Sequence, residues 1–421
     1  MPALVEPAVT VYTRPSDIPD SVWRVLDANA APSNIIYAGA LKTLRQEQKG
    51  RPATPGQAWV VSTMATRNGS VVDFILSCSE GMMGPYPVFI YSTHASSSLT
   101  RDYLYQRLSP MAQTLLRAVP PHRVYSVFAP DLIARTFIEV WQRLTGIAPE
   151  RELYYHAAFS RLSRRAFKDR APTAIHGMQI TLRPAVPADE HRVAELCKGF
   201  ASTSAPFTLD DAGAQREARL LITNKQVWVH IIRDHTGREG IASLVAFTRN
   251  TDRVSAITKV YTNPDWRKLG CAERLVRRVC RHLLVEQGKD EVVLYVAHNN
   301  PAAAGVYRRV GFEGVDSWME IGLDQSRVQL GHCYDRGPPA MSRLNILDYA
   351  YRTVTFSCVA VGAWAIYAGW TVHSDTLRRG RELMERHAKD KDFKLEVKKK
   401  EEAREELLAK QAVSNVYGLN S

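Results

Sequence analysis

The stretch VYTNPDWRKLGCAERL, residues 260–275, joins a β-branched run to an amphipathic one through a loop that holds Arg267, Lys268 and Gly270. Pro264 stops a strand ladder, and Ala272, Leu275, Val276, Val279, Cys280 and Leu283 then fall at helical spacing. A strand that runs through such a loop into a helix presents free backbone N–H groups at the positive end of the helix dipole. That suits an anion, and a pyrophosphate in particular. Gly270 lets the backbone come close, Arg267 adds charge, and Ala272 leaves room where the helix starts. Taken alone, an RxxGxA loop is as readily an ordinary connection, so its meaning depends on its surroundings.

Those surroundings form the second of two halves with the same order of elements. In residues 1–165, QAWVVSTMA, VVDFILSCS and PVFIYST read as strands and LTRDYLYQRLSPMAQTLLRAV as a helix. HRVYSVFAP, DLIARTFIEVWQRLTG and ELYYHAAFSRL then read as strand, helix and strand. A basic linker, SRRAFKDRAPTAIHG, breaks at Pro172 and Gly177. From residue 178 on, MQITLRPAV, VWVHIIRD, GIASLVAFTR, VSAITKVYT, EVVLYVAH and WMEIGL are strands, with helices between them from Pro187, from Cys271 and from Pro301. An internally duplicated α/β chain is expected.

Beyond the fifth strand of the second half stands NNPAAAGVYRRVGF, residues 299–312. Together the two stretches resemble the GNAT (Gcn5-related) acyltransferases. Arg267, Gly270 and Ala272 match the phosphate loop (R/Q)xxGx(G/A). Asn300, Pro301, Ala303, Tyr307, Gly311 and Phe312 match the following N-P-x-A-x-x-x-Y-x-x-x-G-F. The resemblance covers residues 178–325, and the form of the loop is nearest the glycine N-acyltransferase-like branch. It implies tandem GNAT-like mixed sheets flanked by helices, and acetyl-CoA as co-substrate. The pyrophosphate would lie on the amides of Lys268, Leu269, Gly270, Cys271, Ala272 and Glu273, and main-chain groups of Val260, Tyr261 and Thr262 would hold the pantetheine and polarise the thioester. By the same resemblance Asn300 contacts the co-substrate and Tyr307 protonates the leaving thiolate. A helical tyrosine at this spacing also reads as plain core.

A base for the incoming amine is not evident. VSAITKVYT has no carboxylate after Asp252, and EVVLYVAHNN none after Glu291. His298 ends the fifth strand, and an imidazole there is a catalytic candidate, although packing or solvent contact explains it equally. Ordered water could also carry the proton. The first half has no RxxGxG. VFAPDLIARTFIEVWQRLTGI echoes the second motif with Asp131 near the asparagine and Trp141 at the tyrosine, so this half reads as degenerate.

Length, 421 residues, allows two or three domains, and 45% hydrophobic with 23% charged residues is a globular composition. The net charge of +12 has no accompanying nucleic-acid-binding motif, so no nucleic-acid partner is expected. Six cysteines without CxxC spacing argue for free thiols and no metal. TVTFSCVAVGAWAIYAGWTV, residues 353–372, has no charge and the length of a membrane span, with a buried core helix as the other reading. This gives a linker at 326–345, a transmembrane helix at 346–374 and a charged helical tail at 375–421. The segment after Met341 resembles single-span mitochondrial assembly factors of cytochrome c oxidase, which implies the inner membrane. Positive charge after the span disagrees with a cytosolic enzyme before it. The function expected is direct transfer of acetyl to a small amine or amino acid by a membrane-associated chain whose enzyme part is cytosolic. The alternatives are a membrane-anchored scaffold that binds CoA without catalysis, or a fusion of enzyme and unrelated span.

Overall fold

In the computed structural model, residues 7–51, 55–67, 69–81, 84–203 and 208–325 are described, all within the compact unit Met1–His332. The expected span at 353–372, with its linker and tail, lies outside the described residues. Among the described residues no helix is long and apolar enough to cross a membrane.

The first half runs β1 (Ala8–Tyr12), α1 (Asp20–Ala28), α2 (Asn34–Gln48), β2 (Ala58–Thr66), β3 (Gly69–Gly81), β4 (Gly84–Ser92), α3 (Arg101–Ala118), β5 (Ser126–Pro130), α4 (Asp131–Thr145) and β6 (Pro149–Ser163). The second runs β7 (Gln179–Pro184), α5 (Glu190–Ala201), α6 (Asp211–Thr223), β8 (Val227–Arg233), β9 (Glu239–Thr248), β10 (Val254–Thr262), α7 (Cys271–Arg281), β11 (Glu291–Ala297), α8 (Pro301–Val310) and β12 (Glu313–Leu323). The repeat expected from the strand pattern is present. The sequence reading lacked β1, α1 and α2 in the first half.

The two expected sheets are one. Twelve strands run in the order β1-β2-β3-β4-β5-β12-β6-β11-β10-β9-β8-β7. Each half has given its last strand to the other: β12 pairs with β5, β6 pairs with β11, and the two exchanged strands pair with each other. All three of these pairings are antiparallel, so no open edge remains at the seam.

Helices cover both faces. Leu104, Leu108, Phe137 and Trp141 of α3 and α4 bury against Met319 and Ile321 of β12. Leu275, Val279 and Tyr307 of α7 and α8 bury against β11, with Leu162 of β6 in the same cluster. On the opposite face α1 and α2 of the first half share a cluster with Val254, Ala256 and Val293 of the second. The halves are thus stitched by core packing as well as by strands, with each buried large side chain contributing roughly 2 kcal/mol.

Candidate active site

Strands β10 and β11 are parallel neighbours for three residues only, from Val254↔Glu291 to Ala256↔Val293. A bulge between Ile257 and Lys259 turns β10 while it stays paired with β9 as far as Thr262↔Ser243. Past Ala256, therefore, the edge of β10 facing β11 is open. Val260, Tyr261 and Thr262 lie on that opened stretch. Two of their carbonyls already have partners: Ser243 Oγ donates to Tyr261 O at 2.8 Å, and Arg267 Nε donates to Thr262 O at 3.3 Å. Val260 packs toward α7, whereas Tyr261 lies against Gly199 of α5.

The loop after β10 has the backbone that an anion cradle requires. Lys268 (φ 64°) and Gly270 (φ 74°) are both left-handed. Gly270 is the N-cap of α7 and no side chain caps it. The first bond into the helix is Arg274 N–H to Gly270 O at 3.2 Å, so the amides of Cys271, Ala272 and Glu273 have no intrahelical acceptor. A side chain at Gly270 would also meet the Arg274 guanidinium at 3.2 Å. These features fit a pyrophosphate.

The side chains around this loop are less uniform in role. Arg267 turns back to Thr262 O and over the Tyr261 ring. Arg274, absent from the sequence reading, donates to Leu269 O, and its Nε donates to Thr173 O at 2.7 Å, which ties the interhalf linker to the loop. Cys271 is buried with Sγ donating to Trp266 O at 3.4 Å, and burial raises its pKa. Its contribution is therefore its amide. Glu273 bonds Arg277 and Arg309 at 2.6 Å each. Burial pushes its carboxyl up, but the two arginines outweigh it and the pKa is lowered.

The corresponding place in the first half is filled. Strands β4 and β5 also part early, after Phe89↔Phe128. However, Thr100 Oγ1 caps α3 by accepting from Tyr103 N at 3.3 Å, and Asp102 puts a negative charge in its first turn. Buried Asp73 pairs with Arg107 at 2.9 Å, accepts from Tyr103 Oη at 3.1 Å and bonds His94. A side-chain network thus occupies the first-half counterpart of the cradle.

The second motif is placed by packing. Asn300 caps α8, its Oδ1 accepting from Ala303 N at 3.0 Å, so its first role is structural. Tyr307 is 9% exposed with its ring 5.7 Å from that of Phe312, and burial raises its pKa, which keeps the phenol protonated. At Gly311 (φ 114°) a Cβ would stand 2.2 Å from Ala166 O, so only glycine lets the linker pass. His298 is exposed at the end of β11. Its Nε2 lies 3.0 Å from Ser317 Oγ and its ring 4.4 Å from His156, while Ser317 Oγ donates to Asp131 Oδ2 at 2.9 Å. By strand alternation this cluster is on the face opposite Tyr155 and Trp318.

A carboxylate does reach the opened strand, from a helix within residues 187–224. Glu217 of α6 pairs with Lys259 of β10 at 3.2 Å, and its Oε2 is closed to solvent without a hydrogen-bond partner. Its only sequence signal was a helical carboxylate in a helix of unknown docking.

Residues 194–312 match the acetyltransferase (GNAT) family. Among solved structures the chain is similar to a GCN5-related N-acetyltransferase from Sphaerobacter thermophilus, at 16% identity and a TM-score of 0.45 over 74% of this chain and 94% of that one. It is also similar to a tandem GNAT protein from the clavulanic acid biosynthesis pathway, at 13% identity and a TM-score of 0.43 over 75% and 98%. An aminoglycoside N-acetyltransferase in complex with CoA is similar at 14% identity and a TM-score of 0.28 over 41% and 100%. No curated protein matches the chain. The matched residues 194–312 include the opened strand, the left-handed loop and the Gly-Phe pair that ends α8.

Proposed function

We propose that the chain transfers an acetyl group from acetyl-CoA to a small amine by direct attack, in the gap between β10 and β11. The observation that carries this reading is the conjunction of an open β10 edge with the uncapped, left-handed loop at α7. The amides of residues 268–273 hold the pyrophosphate, with Arg274 beside them, and the freed edge of β10 holds the pantetheine arm and orients the thioester. The amine nitrogen bonds to the carbonyl carbon, the C–S bond breaks, the thiolate takes a proton from Tyr307, and the nitrogen gives one to the Glu217 carboxylate, from which it returns to Tyr307 through solvent. The loop likeness favours the glycine N-acyltransferase-like branch. Membrane association through residues 353–372 is proposed on the apolar run, and the mitochondrial inner membrane only on the resemblance of the segment after Met341 to single-span assembly factors.

The test is thiol release by the purified chain with acetyl-CoA across an amine panel. Release with at least one amine supports transfer. CoA binding with no release from any of them makes the domain a non-catalytic CoA binder.

A further inference from the structure

Beside the seam between the halves stands a guanidinium whose Nε has no hydrogen-bond partner. Arg249, in the β9–β10 turn, has φ 50°, a left-handed backbone that is unfavourable for a side-chain-bearing residue. Its carbonyl is held by Asn34 Nδ2 of α2 at 3.0 Å, so the first half helps fix the turn. The guanidinium lies 5.7 Å from the Tyr295 ring centroid. Nε is closed to solvent and has no hydrogen-bond partner, and among the described residues no carboxylate forms an ion pair with it. Burial, the largest effect, lowers its pKa, and the groups acting against burial are Tyr295, Tyr86 and Tyr155. Arg249 is half-buried, but its Nε is closed off without a partner, and strained backbone that holds a guanidinium so placed calls for an explanation.

Beside it four aromatic rings pack together at the border of a core cluster shared by the two halves. Phe128, Tyr295 and Trp318 are mutually 5.0–5.3 Å apart by ring centroid, with Tyr155 6.1 Å from Phe128. Two of these four come from each half. Glu217 pairs with Lys259 of β10, and the charges of Arg249 and Glu217 both act on Tyr86 of the first half. Tyr295 is two residues beyond the last β11 contact with β10, and Lys259 three beyond the last β10 contact with β11, so this region borders the opened strands.

Resting on the transfer reading above, we propose that this region binds the acyl acceptor and that the acceptor is an amine bearing a carboxylate, an amino acid with a flat or apolar side chain. The carboxylate pairs with Arg249, the side chain lies on the four aromatic rings, and the amine turns toward Glu217 Oε2. The first half is then part of the acceptor site through Phe128, Tyr155 and Tyr86, although its own anion cradle is filled.

The test compares acceptors that differ only in the carboxylate: phenylalanine with phenethylamine, and tryptophan with tryptamine, at saturating acetyl-CoA. The wild-type full chain is expected to favour the amino acid about 10- to 100-fold in kcat/KM, and Arg249→Gln to bring the ratio near unity with CoA affinity unchanged. Equal or reversed preference in the wild type overturns the proposal and leaves transfer standing, and this comparison needs no variant to fold. If no amine releases thiol, calorimetry with phenylalanine and phenethylamine decides. Arg249-dependent binding of phenylalanine alone supports the site while transfer fails, and equal binding or none overturns it.

Discussion

Ala157 of β6 and Trp318 of β12 are register partners, and the sheet repeats itself outward from them: Pro130 of β5 lies beside Trp318, and Ala297 of β11 beside Ala157. The pair marks an approximate twofold relation between the halves, at the centre of the exchanged strands.

Because each half is completed by a strand of the other, cutting the linker should not release them. A protease site placed within residues 170–173 and cleaved is expected to leave two fragments that co-elute in gel filtration. Residues 1–165 expressed alone, without β12, should be insoluble or unfolded by circular dichroism. A stable, monomeric first half would contradict the exchange.

Gly270→Val forces a β-branched residue into left-handed backbone beside the Arg274 guanidinium. A stability loss of about 1–2 kcal/mol in denaturant titration is expected, together with at least a ~10-fold weaker acetyl-CoA affinity by calorimetry. Arg267→Ala should weaken CoA less, since its guanidinium is turned toward Thr262.

Tyr307→Phe keeps the ring against Phe312 and removes only the proton donor. Its kcat should fall about 100-fold with acetyl-CoA KM within about threefold. Unchanged kcat would leave Tyr307 as core alone.

Glu217→Gln removes the free carboxylate oxygen at the opened strand and should lower kcat/KM by about 100-fold. His298→Asn, on the opposite face, should change it by less than about threefold. The reverse order would return the base to His298.

Two buried groups pull stability in opposite directions with pH. Burial raises the Glu320 carboxyl to about 7, so the folded chain keeps a proton that the unfolded chain loses, and stability falls from pH 4.5 to 7. His230 is lowered to about 4, by burial first and then by Arg274, so the unfolded chain takes up a proton first and stability falls from pH 6.5 to 4. Each shift is worth on the order of 3 kcal/mol. Between pH 4.5 and 6.5 the two nearly cancel. Relative to wild type, Glu320→Gln should gain stability as pH rises across that window and His230→Leu should lose it. Parallel profiles for both variants would refute the assignment.

The loop from β10 into α7 was legible in the sequence because its geometry is local: Gly270 and the helix it starts are neighbours in the chain. Asn300 was found by motif, yet its side chain serves first to cap its helix. The exchange of β6 and β12 was not legible, since alternation fixes the face of a strand and says nothing of which neighbour it joins. Arg249 and Glu217 were missed for a related reason. They gain meaning only from tyrosines far away in the chain, and neither lies in a motif.

The exchanged strands also set a timetable for synthesis. The exposed side of β5 is complete at Pro130, but its partner β12 ends only at Leu323. At about 5–20 residues per second, that edge waits roughly 10–40 seconds on the ribosome with an unpaired row of N–H and C=O groups. A nascent chain in this interval offers the apolar strand 126-SVFAP-130 to any other copy or chaperone nearby. Translation speed between the two halves therefore bears on yield as directly as any residue of the site.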